Sequence, residues 1–198
     1  MPVITKENIE ELLFQFAKRL KKQYGRKFKA ELVLVGGAAI LTKHHFRQST
    51  IDIDVATSEI SFYKDIVRQM ADEYNLPDDW LNSDFTRTES YSPKLIQYSK
   101  FYREYAQVLK VYAVDDLCLI CMKLKSFRYN SKDIFDLENL LNKNKYSFKE
   151  IVQRMDNLYH EGLNIRPEAE KYLRSKCSQS KDSVINKMID EYEWDEER

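Results

Sequence analysis

The sequence LVGGAAILTKHHFRQSTIDIDVA occupies residues 34–56 and carries the strongest pattern in the chain. It places two of the four glycines side by side, at Gly36 and Gly37, after a short apolar run. Asp52 and Asp54 follow, separated by one residue. An apolar run that ends in glycines is typical of a buried strand leading into a turn, and apolar residues alternating with acids are typical of a half-exposed strand. This stretch therefore predicts a strand, a turn with a short helix, and a second strand.

The second predicted strand, TIDIDVA, indicates a metal-binding pair. Ile51, Ile53 and Val55 alternate with the aspartates, so the apolar side chains should face one way and Asp52 and Asp54 the other. Adjacent carboxylates repel each other unless a cation lies between them. Mg²⁺ takes oxygen ligands and completes its shell with water and substrate phosphate oxygens, and Mn²⁺ accepts the same ligands. We expect one or two Mg²⁺ ions here, with Mn²⁺ as a substitute.

The glycine pair indicates phosphate binding beside that metal. Without Cβ atoms at Gly36 and Gly37, a triphosphate can approach the backbone, and the amides that start the next helix can donate to it. Arg47, Ser49 and Thr50 precede the aspartates and offer a guanidinium and two hydroxyls. Each motif alone also has a structural explanation, because paired glycines are most often a turn and IDIDV fits any half-exposed strand.

The rest of the chain predicts a mixed first half and a helical second half. Residues 5–24 and 59–73 show helical spacing of apolar residues, and 106–114 (AQVLKVYAV) is the next predicted strand. From residue 115 onward the predicted helices cover roughly 115–127, 131–143, 147–160 and 167–175, with a last helix and acidic tail over 180–198. We expect an α+β (α/β) fold: a small mixed β-sheet core flanked by helices over residues 1–114, and a helical region packed on it over 115–198.

The composition limits the classes of partner. Acidic and basic residues balance at 32 each, so no net field attracts nucleic acid, and any such binding must be local. The first residues lack the basic end and apolar run of a signal peptide, and no segment reaches about 18 apolar residues. We therefore expect a cytoplasmic protein without a membrane partner.

The cysteines and histidines are predicted to be structural. An odd set of three cysteines does not make a disulfide framework and agrees with a reducing compartment. Cys118 and Cys121 lie in an apolar segment, which predicts two small core residues one helical turn apart. His44 and His45 are adjacent and have no partner at helical spacing, so both are expected to be exposed.

The order of LVGGAAI, RQST and DIDV resembles the DNA polymerase β-like nucleotidyltransferase superfamily. The pattern R-x-S-T-x-D-x-D at residues 47–54 is similar to the branch that contains AbiEii-type toxins and uncharacterised bacterial relatives. The resemblance covers about residues 10–145. It implies a nucleotidyltransferase core in which Asp52 and Asp54 are catalytic metal ligands. The residues implied to hold the nucleotide in this stretch are Gly36, Gly37, Arg47, Ser49 and Thr50.

The same resemblance extends to MKLKSFRYNSKDIFDL in the helical half. It implies that Lys123 and Arg128 contact nucleotide phosphates, with Lys123 and Asp136 among the catalytic residues and Asp133 near the metal. The ordinary alternative is that Lys123 lies at a helix end and that the two acids form a solvated helix face beside Arg128.

One feature departs from the superfamily pattern. Many members carry a third acid on a later strand, but the predicted strand QVLKVYAV contains none, and Asp115 and Asp116 come only after its end. The third acid is therefore expected from the helical half, or from Glu89, or the site is degenerate.

These features lead to two hypotheses of different classes. The first is a Mg²⁺-dependent enzyme that transfers a nucleoside monophosphate from an NTP to an acceptor, which the sequence leaves open among RNA, a small molecule and a protein. Such an enzyme would also fit the toxin of a toxin–antitoxin pair, with an antitoxin as protein partner. The second is a catalytically inactive relative that binds a nucleotide or a protein.

Overall fold

The computed structural model describes residues 3–128 and 132–177. The predicted last helix and acidic tail lie outside these residues. The helices and strands are β1 (Ile4–Thr5), α1 (Lys6–Tyr24), β2 (Ala30–Leu34), α2 (Gly36–Lys43), β3 (Ser49–Thr50), β4 (Ile53–Asp54), α3 (Lys64–Tyr74), β5 (Leu81–Asn82), β6 (Ser99–Tyr105), β7 (Leu109–Val114), α4 (Asp116–Ser126), α5 (Lys132–Asn144), α6 (Phe148–Tyr159) and α7 (residues 167–177). Three short 3₁₀ segments cover Ser58–Tyr63, Asp84–Arg87 and Pro93–Tyr98.

The central sheet is small and mixed. β2 pairs parallel with β7, and β7 pairs antiparallel with β6. β4 pairs parallel with β5, and an antiparallel bridge between Leu34 and Val55 joins this pair to β2. The strands therefore follow one another in the order β5, β4, β2, β7, β6. A separate antiparallel pair of β1 and β3 lies beside them.

Helices from both halves of the chain pack on this sheet. The apolar face of α1 is fully buried at Leu13, Phe16 and Leu20, as its spacing predicts. α4 contributes an almost continuous buried run, and one hydrophobic core extends from Ile4 to Leu173. The expected α+β fold, with a small mixed sheet and a helical second half, is confirmed.

The acidic strand is shorter than predicted. Only Ile53 and Asp54 form a strand, residues 51 and 52 bend, and the Ile51 side chain is 53% exposed. The prediction that Ile51 shares a buried face with Ile53 and Val55 is wrong, because Ser49 and Thr50 pair with β1 and the chain bends before it joins β5.

The predictions for the cysteines and for His44 have opposite outcomes. Cys118 and Cys121 are buried in α4, as expected. His44 was expected to be exposed and is buried, because α2 ends at Lys43 and the next ring turns inward between α4 and α5. Its Nε2 lies 2.9 Å from Asp116 Oδ1, and Lys143 Nζ donates to its Nδ1 at 2.9 Å.

In the described part of the chain, no helix combines the length and apolar character needed to cross a membrane.

Candidate functional site

The glycine turn lies where β2 ends and α2 begins. Val35 precedes the helix in an extended conformation, and its N–H donates to the Asp54 carbonyl at 3.0 Å. Gly36 follows with a φ of 54°, a conformation that glycine adopts without strain. A Cβ added at Gly36 would lie 3.6 Å from Asp54 Oδ2. The turn and the aspartate strand, far apart in sequence, are therefore in direct contact.

Gly37 leaves room for a second group. An added Cβ there would lie 2.7 Å from both Arg47 Nη2 and Thr50 Oγ1, which is closer than nonbonded atoms tolerate. A side chain at this position would displace the guanidinium or the hydroxyl. The absence of a Cβ thus brings a cation and a hydroxyl to the first turn of α2, whose amides favour anions.

The Asp52 and Asp54 carboxylates are both partly buried, and the pKa of each is raised. Burial raises the pKa of Asp52, and the neighbouring Asp79 carboxylate adds to the effect. Burial, followed by the Asp52 and Asp84 carboxylates, raises the pKa of Asp54 to about 7, while Arg128 acts in the opposite sense. In the described part of the chain, neither Asp52 nor Asp54 forms an ion pair with a Lys or Arg. The pair is therefore repulsive as it stands.

This donor set fits a divalent cation. Asp52 and Asp54 offer carboxylate oxygens in a half-buried site, where the charge of Asp52 opposes the ionisation of Asp54. A bound Mg²⁺ would relieve this repulsion. Among residues 3–128 and 132–177, no group of three His, Cys, Asp or Glu side chains is close enough to hold a metal ion. Two protein carboxylates together with substrate phosphate oxygens are a usual ligand set for Mg²⁺.

Two cations of the site converge on one buried acid. Asp136, on α5, is only 1% exposed. Arg47 Nη1 donates to its Oδ2, and Lys123 Nζ lies 2.9 Å from the same oxygen. Lys123 also donates to Asp133 Oδ1 at 2.7 Å. Asp136 therefore positions a guanidinium from the core and an ammonium from α4 at the same place.

A cleft of about 600 Å³ joins these parts. Of the predicted residues, it is lined by Gly36, Gly37, Arg47, Thr50, Asp52, Asp54, Lys123, Arg128 and Asp133. Ser49 and Asp136 do not line it: the Ser49 carbonyl accepts from Arg47 Nε at 3.1 Å, and Asp136 is buried in contact with Arg47 and Lys123. The structure brings most of the predicted set together, with these two as supports for Arg47.

The remaining candidates for a third acid have different surroundings. Asp115 caps α4 and pairs with Arg154, with an O–N distance of 2.8 Å, and Asp116 pairs with Lys43. Neither lines the cleft, whereas Glu89 does. Asp133 also lines it but pairs with Lys123.

The raised pKa of Asp54 predicts a pH dependence of stability for the metal-free protein. A carboxyl with a higher pKa in the folded state than the ordinary value of about 4 binds its proton more tightly when folded. The stabilisation of the folded state by the protonated Asp54 carboxyl is fully present below about pH 4 and is lost as the pH rises to about 7. We expect the Asp54→Asn variant to gain stability relative to the wild type over this window, by at most about 1.4 kcal/mol per pH unit.

Urea unfolding in EDTA at pH 4, 5.5 and 8 measures this difference. Because every other titrating group is common to both proteins, the quantity compared is the difference between their free energies of unfolding at each pH. A gap that stays constant with pH would contradict the assigned environment of Asp54.

Comparison with known proteins places the chain in a family. A family model described as "Nucleotidyltransferase of unknown function (DUF6036)" matches residues 11–184. The chain belongs to this family. The DUF6036 match covers both the glycine turn with its aspartates and the helices that carry Lys123 and Asp136. No match was found among curated proteins or solved structures.

The DUF6036 cleft also contains residues that the sequence patterns did not predict. They lie in the connection after β5 and at the edges of α4 and α7: Asp84, Phe85, Thr88, Ser90, Met122, Ser126 and Arg166. The connection after β5 is polar and irregular in sequence, so no periodicity marks it. The sequence offered one signal for this region: the acid Asp84 lies close in sequence to Glu89, a candidate for the third acid.

Proposed function

We propose that this DUF6036 protein transfers a nucleoside monophosphate from an NTP to an acceptor and releases pyrophosphate. One observation carries the proposal: Asp54 lies against the Gly36 turn within a single cleft, so a phosphate on the turn would reach the carboxylate pair. Membership of a nucleotidyltransferase family supports the reaction class. The NTP and Mg²⁺ are part of this proposal.

Different groups of residues would bind the phosphates and the metal. The amides at the start of α2 and the Arg47 guanidinium would hold the β- and γ-phosphates, while Thr50 offers a hydroxyl on the same side. Lys123 and Arg128 would face the triphosphate from the helical half. Asp52 and Asp54 would hold Mg²⁺, which when bound stabilises charge on the phosphate oxygens. With these groups bound, the α-phosphorus would be held for attack by the acceptor.

The acceptor is expected to enter from a second cavity of about 740 Å³. It is lined by Tyr91, Tyr159 and Lys125, and it shares Glu89 and Arg166 with the cleft. An acceptor oxygen would bond to the α-phosphorus as the bond to the bridging oxygen breaks and pyrophosphate leaves. Glu89, at the junction, is suited to accept the proton that the acceptor loses.

The finer assignments rest on the sequence resemblance. The R-x-S-T-x-D-x-D pattern and the Asp133–Asp136 spacing support a place in the AbiEii-type branch, and with it a toxin role and an antitoxin partner. A cytoplasmic site of action is also part of this proposal. RNA, a small molecule or a protein could serve as acceptor. Incubation with each labelled NTP and separated pools of the three classes would show which pool acquires the label.

The binding step has a direct test. Saturating NTP with Mg²⁺ is expected to raise the melting temperature of the wild type by at least about 3 °C, and NTP with EDTA by much less. Asp52→Ala/Asp54→Ala should lose the Mg²⁺-dependent part. Gly37→Ala should weaken the whole shift, because its methyl group displaces Arg47 or Thr50.

Asp65→Ala/Asp72→Ala, which removes two exposed acids of α3, is the matched control and should retain the full shift. A wild-type protein that shows no Mg²⁺-dependent shift with any NTP would contradict the proposal.

A second candidate function is nucleotide binding without transfer. The observation that favours it is that, among the described residues, no third acidic side chain joins Asp52 and Asp54 in one metal-binding group. A Mg²⁺-dependent shift without labelled product in any acceptor pool would support this alternative.

A further inference from the structure

A strongly basic segment follows the first half of α1. Between Lys18 and Lys29, seven of twelve residues are Lys or Arg, and no acid occurs between Glu11 and Glu31. Because the whole chain has no net charge, this segment is a local excess of positive charge on a balanced surface.

The fold gathers this charge on one face. Phe14, Lys18, Lys21 and Lys22 follow one another at helical spacing, on the side of α1 opposite its buried residues. With Gly25, Arg26 and Ala106 they line an open groove of about 530 Å³, here called the α1 groove. Phe14 is 39% exposed, and Lys18 Nζ lies 5.5 Å from the centre of its ring.

Several of the cations already have partners within the protein. Arg19 pairs with Glu73, Lys21 Nζ donates to the Ala106 carbonyl at 2.9 Å, and Lys29 lies 3.9 Å from Glu104. The other four are exposed and, within residues 3–128 and 132–177, form no ion pair with an acidic side chain: Lys18, Lys22, Arg26 and Lys27. These four charges are available to an anionic partner.

The α1 groove and the cleft lie at opposite ends of one strand. Gly25 and Arg26 come before β2, and Gly36 follows it after Val35. A strand of five residues spans roughly 17 Å. A ligand in the groove would therefore not compete with phosphates in the cleft.

We propose that the α1 groove binds single-stranded nucleic acid. Repeated cations along roughly 12 Å of helix, from Phe14 to Lys22, fit consecutive phosphates better than a single small anion. An exposed aromatic ring among lysines offers a surface on which a base can stack. The single exposed aromatic residue in the groove provides too little apolar area for insertion into a membrane. Contacts to phosphates and stacking on a ring carry little base preference, so we expect binding that depends only weakly on sequence.

Fluorescence anisotropy with labelled 20-nucleotide oligo(U) and oligo(dT), without NTP, tests this surface. Four phosphate contacts predict a salt slope near −2.8, or about fiftyfold weaker binding between 50 and 200 mM salt. We expect Lys18→Glu/Lys22→Glu/Arg26→Glu/Lys27→Glu to abolish binding, and the corresponding four-Gln variant to bring the slope close to zero. Circular dichroism checks that both variants are folded.

The matched control carries the same change in charge elsewhere. Lys64, Lys100, Lys149 and Lys171 are exposed and form no ion pair with an acidic side chain in the described part of the chain, and their exchange for Glu should leave the affinity within about threefold. Equal loss in this control would overturn the proposal. So would competition by poly-glutamate, or by phosphatidylserine vesicles, at charge concentrations equal to those of oligo(U). Because NTP is absent, these outcomes do not depend on the reaction in the cleft.

Discussion

Asp54→Asn is expected to lower the rate of nucleotidyl transfer at least about a thousandfold, which corresponds to about 4 kcal/mol of transition-state stabilisation. Asn keeps the shape of the side chain but removes the charge that would hold Mg²⁺ beside the glycine turn. Asp52→Asn should have an effect of similar size, because both carboxylates line the same cleft. The measurement is the initial rate with labelled NTP and the acceptor pool that the wild type labels.

Stability separates this effect from misfolding. Since the two carboxylates repel each other in the metal-free protein, Asp54→Asn should be at least as stable as the wild type near pH 8 and still be inactive. Asp65→Asn is the matched control, because Asp65 is an exposed acid of α3 that does not line the cleft. We expect it to retain most of the activity. An Asp54→Asn enzyme with wild-type rates would remove this carboxylate from the proposed site.

Asp136→Ala is expected to destabilise the fold by about 3–5 kcal/mol. Arg47 and Lys123 are 13% and 8% exposed in their side chains, and both converge on this carboxylate. Its removal leaves the poorly solvated Arg47 guanidinium without its acid and leaves Lys123 with Asp133 alone. Breaking one side of a buried ion pair leaves an uncompensated charge. Urea unfolding measures the free energy of unfolding. The Mg²⁺-dependent shift of the melting temperature with NTP measures independently whether Arg47 and Lys123 still bind phosphate.

Asp133→Ala provides the comparison. Asp133 also pairs with Lys123, but its side chain is 27% exposed, so we expect a loss of no more than about 1 kcal/mol. Saturating NTP should restore part of the lost stability in Asp136→Ala, because phosphate oxygens replace the missing carboxylate. Equal destabilisation by the two substitutions would contradict the central position of Asp136.

Much of the fold could be predicted because its helices and its two central strands follow regular apolar spacing. β6 was not predicted, since SKFYREY exposes most of its side chains. The turn between β6 and β7 places Ala106 and Gln107 at φ of 49° and 63°, without the Gly or Asn that usually marks such a turn. Local sequence therefore carried little information about this hairpin.

The candidate site shows the same division. Gly36, Gly37, Asp52 and Asp54 could be selected because each lies in a regular segment with a chemical reason for its spacing. The burial of Asp136 beneath Arg47 could not, because that contact joins residues 89 positions apart and depends on how α5 packs. The inward turn of His44 was missed for the same reason, since its partners lie on α4 and α5.

The shared contacts of Asp136 limit how this protein can be shortened or recombined. Arg47 belongs to the sheet half of the chain and Lys123 and Asp136 to the helical half, so a fragment that ends near residue 114 would keep the aspartate pair but leave its guanidinium without the acid that orients it. Exchanging the helical half for that of another protein would disturb the phosphate side of the cleft unless an equivalent acid came with it. The two halves are therefore expected to vary together.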